Sequence, residues 1–172
     1  DLARCVGVHS WQVRKDFSYF GDLGTRGVGY PVSKLAGKIK QILRLDGTKK
    51  VALVGVGNLG RAILAYGGFS RYGLEIAAAF DCDTAKMGQV IQGITIEDMA
   101  TVGIVRERQI SLAILAVPVG SAQEVVDALV EVGIKGIFSF SACHVAVPKK
   151  VKVISIDIAT DLASLPYYIP SG

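Results

Sequence analysis

With 172 residues, 51% of them apolar and 20% charged, the chain can form one full domain plus a small one. No apolar run reaches the length of a membrane span, and no signal peptide is visible. Three widely spaced cysteines, Cys5, Cys82 and Cys143, argue against a disulfide framework and a CxxC metal site.

Thiols of this kind suit a reducing cytoplasm, and His9 and His144 add too little for a zinc site. The net charge of +4 is unevenly spread: residues 1–50 carry ten Lys/Arg against four Asp/Glu, residues 51–172 nine against eleven. A basic head on a slightly acidic body points to a polyanion as the head's partner.

The chain opens on Asp1-Leu2-Ala3-Arg4, which reads as the inside of a helix, so a preceding first helix is expected. Ala3, Gly7 and Val13 then have helix-turn-helix spacing. Ala3 would sit where two helices touch, Gly7 would make the turn, and Val13 would pack the second helix back. Ser10 is the expected N-cap. Val13, Phe17 and Phe20 share an inner face. Gln12, Arg14, Lys15 and Ser18 point outward, toward base edges and phosphates. The glycine-rich stretch 21–29 suits a β-wing with Arg26 at its tip, and a lysine-rich helix face follows at 34–44.

From residue 48 strand and helix patterns alternate. Apolar runs at Lys50–Val56, Glu75–Phe80, Leu112–Val117, Gly136–Phe140 and Val151–Ile156 predict strands. Leu59–Tyr66 and Ser121–Val132 predict helices. Near-continuous apolar strands separated by helices mean a parallel sheet covered on both faces. Residues 84–110 predict a short helix, a small strand near Ile94 and another helix. The expected organisation is a winged-helix DNA-binding domain over 1–47, a Rossmann-type parallel-sheet domain over 48–157 and an amphipathic tail over 158–172, an α/β fold.

Within this pattern Gly55-Val-Gly57-Asn58-Leu59-Gly60 follows a strand and opens a helix, as dinucleotide binding requires. Gly55 permits the tight turn, Gly57 lets the pyrophosphate approach the backbone, and Gly60 lets helix and strand pack closely. The helix start offers free N–H groups to the phosphates. Asp81, 21 residues after Gly60, is placed to accept from the ribose hydroxyls of NAD, with Asp83 as a competitor for the role. Val117, Pro118 and Ser139, at later strand ends, are candidates for the nicotinamide side of the crevice.

Dehydrogenase chemistry would need a proton donor or acceptor in a substrate domain. Some 110 residues of Rossmann fold leave almost nothing for one, so NADH and NAD are expected as ligands rather than reactants, and the protein is expected not to be an enzyme. The rivals are a small NAD-dependent oxidoreductase and a CoA-binding module; Asp81 favours a free ribose diol over the phosphorylated ribose of CoA.

Gln12-Val-Arg-Lys-Asp-Phe-Ser-Tyr-Phe-Gly21 and Gly24-Thr-Arg-Gly-Val-Gly-Tyr30 resemble the winged-helix signature of the Rex family of redox-sensing transcriptional repressors. The likeness continues through Val54-Gly-Val-Gly-Asn-Leu-Gly60, Phe80-Asp-Cys-Asp83, Ala113-Ile-Leu-Ala-Val-Pro118, Gly133-Ile-Lys-Gly-Ile137 and Ile156-Asp-Ile-Ala159. This resemblance implies a homodimer that exchanges its C-terminal helices. It also implies palindromic double-stranded operator DNA as partner, with release by NADH and competition by NAD. By similarity Arg14 and Lys15 lie on the recognition helix and Arg26 on the wing. Tyr66 resembles the family tyrosine beside the nicotinamide, and Asp157 the tail carboxylate that couples this site to the partner subunit. Two departures stand out: Ser139-Phe140-Ser141-Ala142 replaces the family's Asn-Phe-x-Pro, and Pro166 should kink or end the tail helix.

Overall fold

A computed structural model of the chain describes residues 2–21, 23–24, 29–43 and 47–169. It divides into two compact units, Asp1–Gly47 and Thr48–Gly172.

In the first unit, α1 (Leu2–Cys5) and α2 (Ser10–Ser18) are joined through Gly7, whose φ of +67° favours glycine. The Val8 N–H donates to the Ala3 carbonyl at 3.1 Å, and Ala3 is buried. Ser10 is not the cap: that position is taken by the extended His9, and Ser10 is the first helical residue. The reason is that the N–H groups of Gln12 and Val13 both donate to the His9 carbonyl, which starts the helix one residue sooner. Val13 and Phe17 of α2, and Phe20 just beyond its end, are half-buried. Phe17 meets Tyr30 edge-on at 5.2 Å, an arrangement favoured by the ring quadrupoles. α3 (Val32–Ile42) turns Leu35 and Ile39 inward while Lys34 and Lys40 stay exposed. The expected wing, Arg26 included, falls mostly outside the described residues.

The second unit is built on a seven-stranded sheet: β1 (Lys49–Val54), β2 (Leu74–Asp81), β3 (Val90–Ile91), β4 (Ile94–Asp98), β5 (Leu112–Leu115), β6 (Gly136–Ser139) and β7 (Lys152–Ser155). Their order is β3-β4-β2-β1-β5-β6-β7, parallel throughout except for the β3–β4 hairpin. Alternation along β1 explains its unbroken apolar run. Ala52 and Val54 join the core on one face, while Val51 and Leu53 join the core on the other. Between Val51↔Ile76 and Ala52↔Ala78 the register shifts by one residue, a β-bulge at Ala77.

α4 (Asn58–Ala65) buries Gly60, Ile63 and Leu64, one helical face, on the Leu53 side. α5 (Val119–Glu131) buries Ala122, Val126 and Leu129 on the other side, beside Phe80 and Leu115.

The region 84–110 departs from the expectation. Residues 84–88 form turns rather than a helix, because Asp83 accepts from the Ala85 N–H and Gly88 has φ +78°. The hairpin turn Gln92–Gly93 has both φ values positive, the geometry that matches strand twist. The strand near Ile94 is present as β4. The second expected helix is present as the 3₁₀ helix Met99–Val105. Its run of Thr101, Val102, Ile104 and Val105 around Gly103 has poor helix propensity. In the tail, α6 (Ile158–Ser164) gives way to a 3₁₀ turn, Leu165–Tyr168, with Pro166 at its start.

Two glycines allow close backbone approaches, Gly60 of α4 to the turn after β1 and Gly55 in that turn to the end of β5. A Cβ on Gly60 would stand 2.0 Å from the Gly55 carbonyl oxygen, and one on Gly55 2.4 Å from the Ala116 carbonyl oxygen. Both obstacles are backbone and cannot rotate away. Gly60→Ala should therefore cost about 2 kcal/mol or more, lowering the melting temperature by about 4–8 °C. A melt followed by circular dichroism checks this; an unchanged midpoint would mean that helix and strand are not so close.

Candidate functional site

Strand order reverses between β1 and β5, and in open α/β sheets ligands bind beyond the strand ends at such a point. A crevice of ≈ 470 Å³ opens there, lined among others by Gly55, Gly57, Asp81, Lys86, Val117 and Pro118. The turn that shapes it is fixed by main-chain bonds. Gly55 N–H donates to the Phe80 carbonyl at 2.9 Å, and Ala116 N–H to the Val54 carbonyl at 2.8 Å. Gly57 then caps α4 with no side chain, so no side chain covers the first N–H groups of the helix.

The space beside Gly57 is open: a Cβ built there meets nothing within 4 Å. Its φ of −78° suits any residue. Neither packing nor backbone strain explains a glycine at this position, whereas a phosphate drawn against the helix start does. The residues present therefore fit the pyrophosphate of a dinucleotide. Asn58 and Leu59, in the first turn of α4, are exposed beside it.

Asp81 ends β2 at the mouth of the crevice and is buried. Oδ2 accepts from the Val56 N–H at 2.7 Å and from Lys86 Nζ at 3.0 Å, and Oδ1 accepts from the Asp83 N–H at 2.9 Å. Burial pushes its pKa up. The hydrogen bonds from the Asp83 and Val56 backbone, and then the Lys86 ammonium, outweigh that and hold the carboxyl below the usual range. Asp81 is thus an anion that also ties the glycine turn to the neighbouring strand. The competitor, Asp83, instead caps its own turn through Ala85.

On the opposite wall Val117 is half-buried, and Pro118 is the N-cap of α5. Ser139 differs from its expected place. It is fully buried at the end of β6, and its hydroxyl engages Ser141 rather than the crevice. Ser141 in turn donates to the Val117 carbonyl at 2.6 Å, so the two serines brace the wall from behind. Lys86 escaped the sequence reading. Its signal was an Asp81-x-Asp83-x-x-Lys86 loop, in which two acids call for a cation nearby.

Tyr66 follows α4, is 60% exposed and meets Phe69 edge-on at 5.2 Å. Asp157 caps α6: its carboxylate accepts from the Ala159 and Thr160 N–H groups at 3.1 Å and from the Thr160 hydroxyl at 2.7 Å. The Thr160 hydroxyl and then its N–H hold the Asp157 pKa down. Among the described residues no hydrogen bond joins Tyr66 to Asp157.

On the head, Gln12, Arg14, Lys15 and Ser18 all lie on the exposed side of α2. Ser18 turns its hydroxyl back to the Lys15 carbonyl at 2.6 Å, which leaves the charge of that face to Arg14 and Lys15. Arg26 lies outside the described residues.

Residues 46–143 match the family model described as CoA binding domain. Over 170 residues the chain is 48% identical to a redox-sensing transcriptional repressor Rex of Chloroflexus aurantiacus, covering 98% of this chain and 80% of that protein. The Rex of Lactobacillus acidophilus is 41% identical over 172 residues, with 99% and 82% covered. Among solved structures, RSP in complex with β-NAD+ and operator DNA superposes with a TM-score of 0.91 at 33% identity, covering 97% of this chain and 77% of that one. RSP in complex with β-NADH gives 0.82 at 31% identity, covering 97% and 78%. With near-complete coverage at this level of identity, the chain belongs to the Rex family of redox-sensing transcriptional repressors.

Proposed function

We propose that this chain is a repressor that holds operator DNA with its basic head and lets go when NADH fills the crevice of its body. The observation that carries this reading is the glycine crevice, above all Gly57, whose lack of a side chain serves a ligand rather than the fold. Support comes from the similar RSP, solved with NAD+ and operator DNA and again with NADH. NADH and NAD act as effectors here, not reactants, and the relatives are named as repressors rather than enzymes. Since operator DNA is the target, the protein works in the cytoplasm; among the described residues no helix is long and apolar enough to cross a membrane.

In this reading Gly55, Gly57, Asn58, Leu59 and Gly60 receive the pyrophosphate, Asp81 the adenosine ribose, and Val117 and Pro118 the nicotinamide side. Gln12, Arg14, Lys15 and Ser18 meet the operator, with Arg26 on the wing. The reduced and oxidised rings differ by one charge. Tyr66 and Asp157 read that difference across two subunits and convert it into a change in how the heads are held.

A palindromic operator calls for a symmetric dimer, and two uncovered apolar surfaces support one. A groove of ≈ 530 Å³ lies on one face of the sheet, lined among others by Ile114, Phe138 and Ile154 of the strands and by Phe69 after α4. The tail exposes Ile158, Leu162, Leu165, Tyr167 and Tyr168. Covering one such side chain contributes about 1.5–3 kcal/mol, so exchange of tails between two copies satisfies both surfaces. The CoA description of the matched family leaves one rival ligand, which a CoA titration in parallel with NADH tests.

Gly57→Ala should leave the melting temperature within about 2 °C of the parent and weaken NADH binding at least about tenfold by calorimetry. Undiminished affinity would move the pyrophosphate elsewhere. In operator gel shifts, Arg14→Ala and Lys15→Ala should each weaken binding about tenfold while NADH uptake stays unchanged. Release of the parent complex by NADH is the test of the reading as a whole, and an operator complex indifferent to NADH sinks it. Ile154→Asp should convert the species seen by light scattering from dimer to monomer; a dimer that persists places the interface on another face.

A further inference from the structure

The chain has a single tryptophan, Trp11, and the head leaves it in the open. It lies in the first turn of α2, directly before Gln12, and is 56% exposed. An indole is among the largest apolar surfaces a residue can bury, and here more than half of it stays uncovered. Side chains three, four and seven residues apart share one face of a helix. That places Trp11 on one stripe with Arg14, Lys15 and Ser18, while Val13 and Phe17 take the half-buried side. The helix start beneath the ring is fixed, since the N–H groups of Gln12 and Val13 donate to the His9 carbonyl at 3.0 and 3.3 Å. Beside it the His9 ring stands nearly parallel to the indole, with 13° between planes and 6.4 Å between centroids.

The company of that ring decides what can cover it. Arg14 and Lys15 stand one turn along the same stripe, and all three side chains are exposed. None of the four stripe residues is an acid. A protein surface closing over Trp11 would have to desolvate both cations or bring carboxylates to meet them. The major groove of double-stranded DNA offers the required mixture unaided. Phosphates run along its rims, and the 5-methyl groups of thymines are the apolar feature among the base edges on its floor. The N-terminal residues of a helix laid in this groove are those that reach base edges, and Trp11 is the second residue of α2.

We propose that Trp11 is a specificity-determining residue of the head, whose indole rests on a thymine methyl in each half of the operator while Arg14 and Lys15 answer the negative backbone. This rests on the operator reading above and adds a base preference to it. Contacts to phosphate position a protein on DNA without reading its sequence. Ser18 spends its hydroxyl on the Lys15 carbonyl, so apolar reading along this stripe falls to the indole. Cytosine in place of the thymine lacks the methyl and turns an amino group toward the ring instead, and the ring therefore favours thymine.

The test uses the intact protein and a DNA duplex enriched from random sequence by the parent. Because Trp11 is the only tryptophan, its emission reports on this position alone. In the free protein it should be open to quenching by acrylamide; with the duplex at saturation it should be shielded and its spectrum altered. Each thymine is then replaced in turn by deoxyuridine in both half-sites, which removes only the methyls. At the contacted position this should weaken binding by the parent about tenfold. Trp11→Ala should melt within about 2 °C of the parent, weaken the thymine duplex about tenfold or more and be indifferent to deoxyuridine there. Trp11→Phe should keep most of the thymine preference. Shielding from acrylamide before DNA is added would place the ring inside a protein interface, and emission unchanged by the duplex would leave it outside the groove. A parent blind to deoxyuridine at every thymine has no methyl contact, and a penalty that survives in Trp11→Ala gives the methyl to another residue. Each of these overturns the proposal. A parent that enriches no duplex refutes the operator reading itself, which is a different result.

Discussion

The close approach of α4 to β1 is the constraint from which the rest of the body follows. Where the Cα of Gly60 lies against the Gly55 carbonyl, any side chain would push helix and strand apart. Because it does not, the chain leaves β1, turns within a few residues and starts a helix whose first N–H groups face the strand ends. Asp81 completes the turn from the neighbouring strand by accepting the Val56 N–H. The glycine turn and the carboxylate are therefore one unit, and the crevice inherits both its shape and its polarity from it. In that unit Gly55 and Gly60 serve the backbone, while the space beside Gly57 stays open.

Much of this was readable in the residues because the physical demands are local. The valine-rich run at 51–54 has to be buried on both faces, so it could only be a central parallel strand. Its glycines at fixed offsets, followed by an acid at the next strand end, form a pattern with few other uses. The helix pair around Gly7 was legible for the same reason, since a small residue, a turn glycine and a returning valine each have one geometric task. Ser10 was misplaced because a cap is decided by which carbonyl takes the first helical bonds, and His9 takes them.

The missed features depend on contacts between distant parts. Of the two helices expected over residues 84–110, the first is replaced by an Asx turn at Asp83, and the second forms as a 3₁₀ helix over Met99–Val105. Ser139 stands at a strand end, where a ligand contact was expected. Its partner Ser141 turns it into a brace reaching Val117, and no spacing rule announces such a bond. Lys86 belongs to the same class, because its place is set by Asp81 and Asp83 together.

The shortness of the tail helix has a thermodynamic consequence of its own. Seven α-helical residues ended by a proline turn, with Asp157 as cap, are too few to sustain a helix in water by themselves. Whatever surface covers Ile158, Leu162 and Leu165 therefore supplies the free energy of their folding. If that surface belongs to a second copy, tail order and subunit association become a single equilibrium governed by mass action. Cellular copy number then enters the behaviour of the sensor alongside the redox state, and dilution loosens the molecule at the segment that carries Asp157.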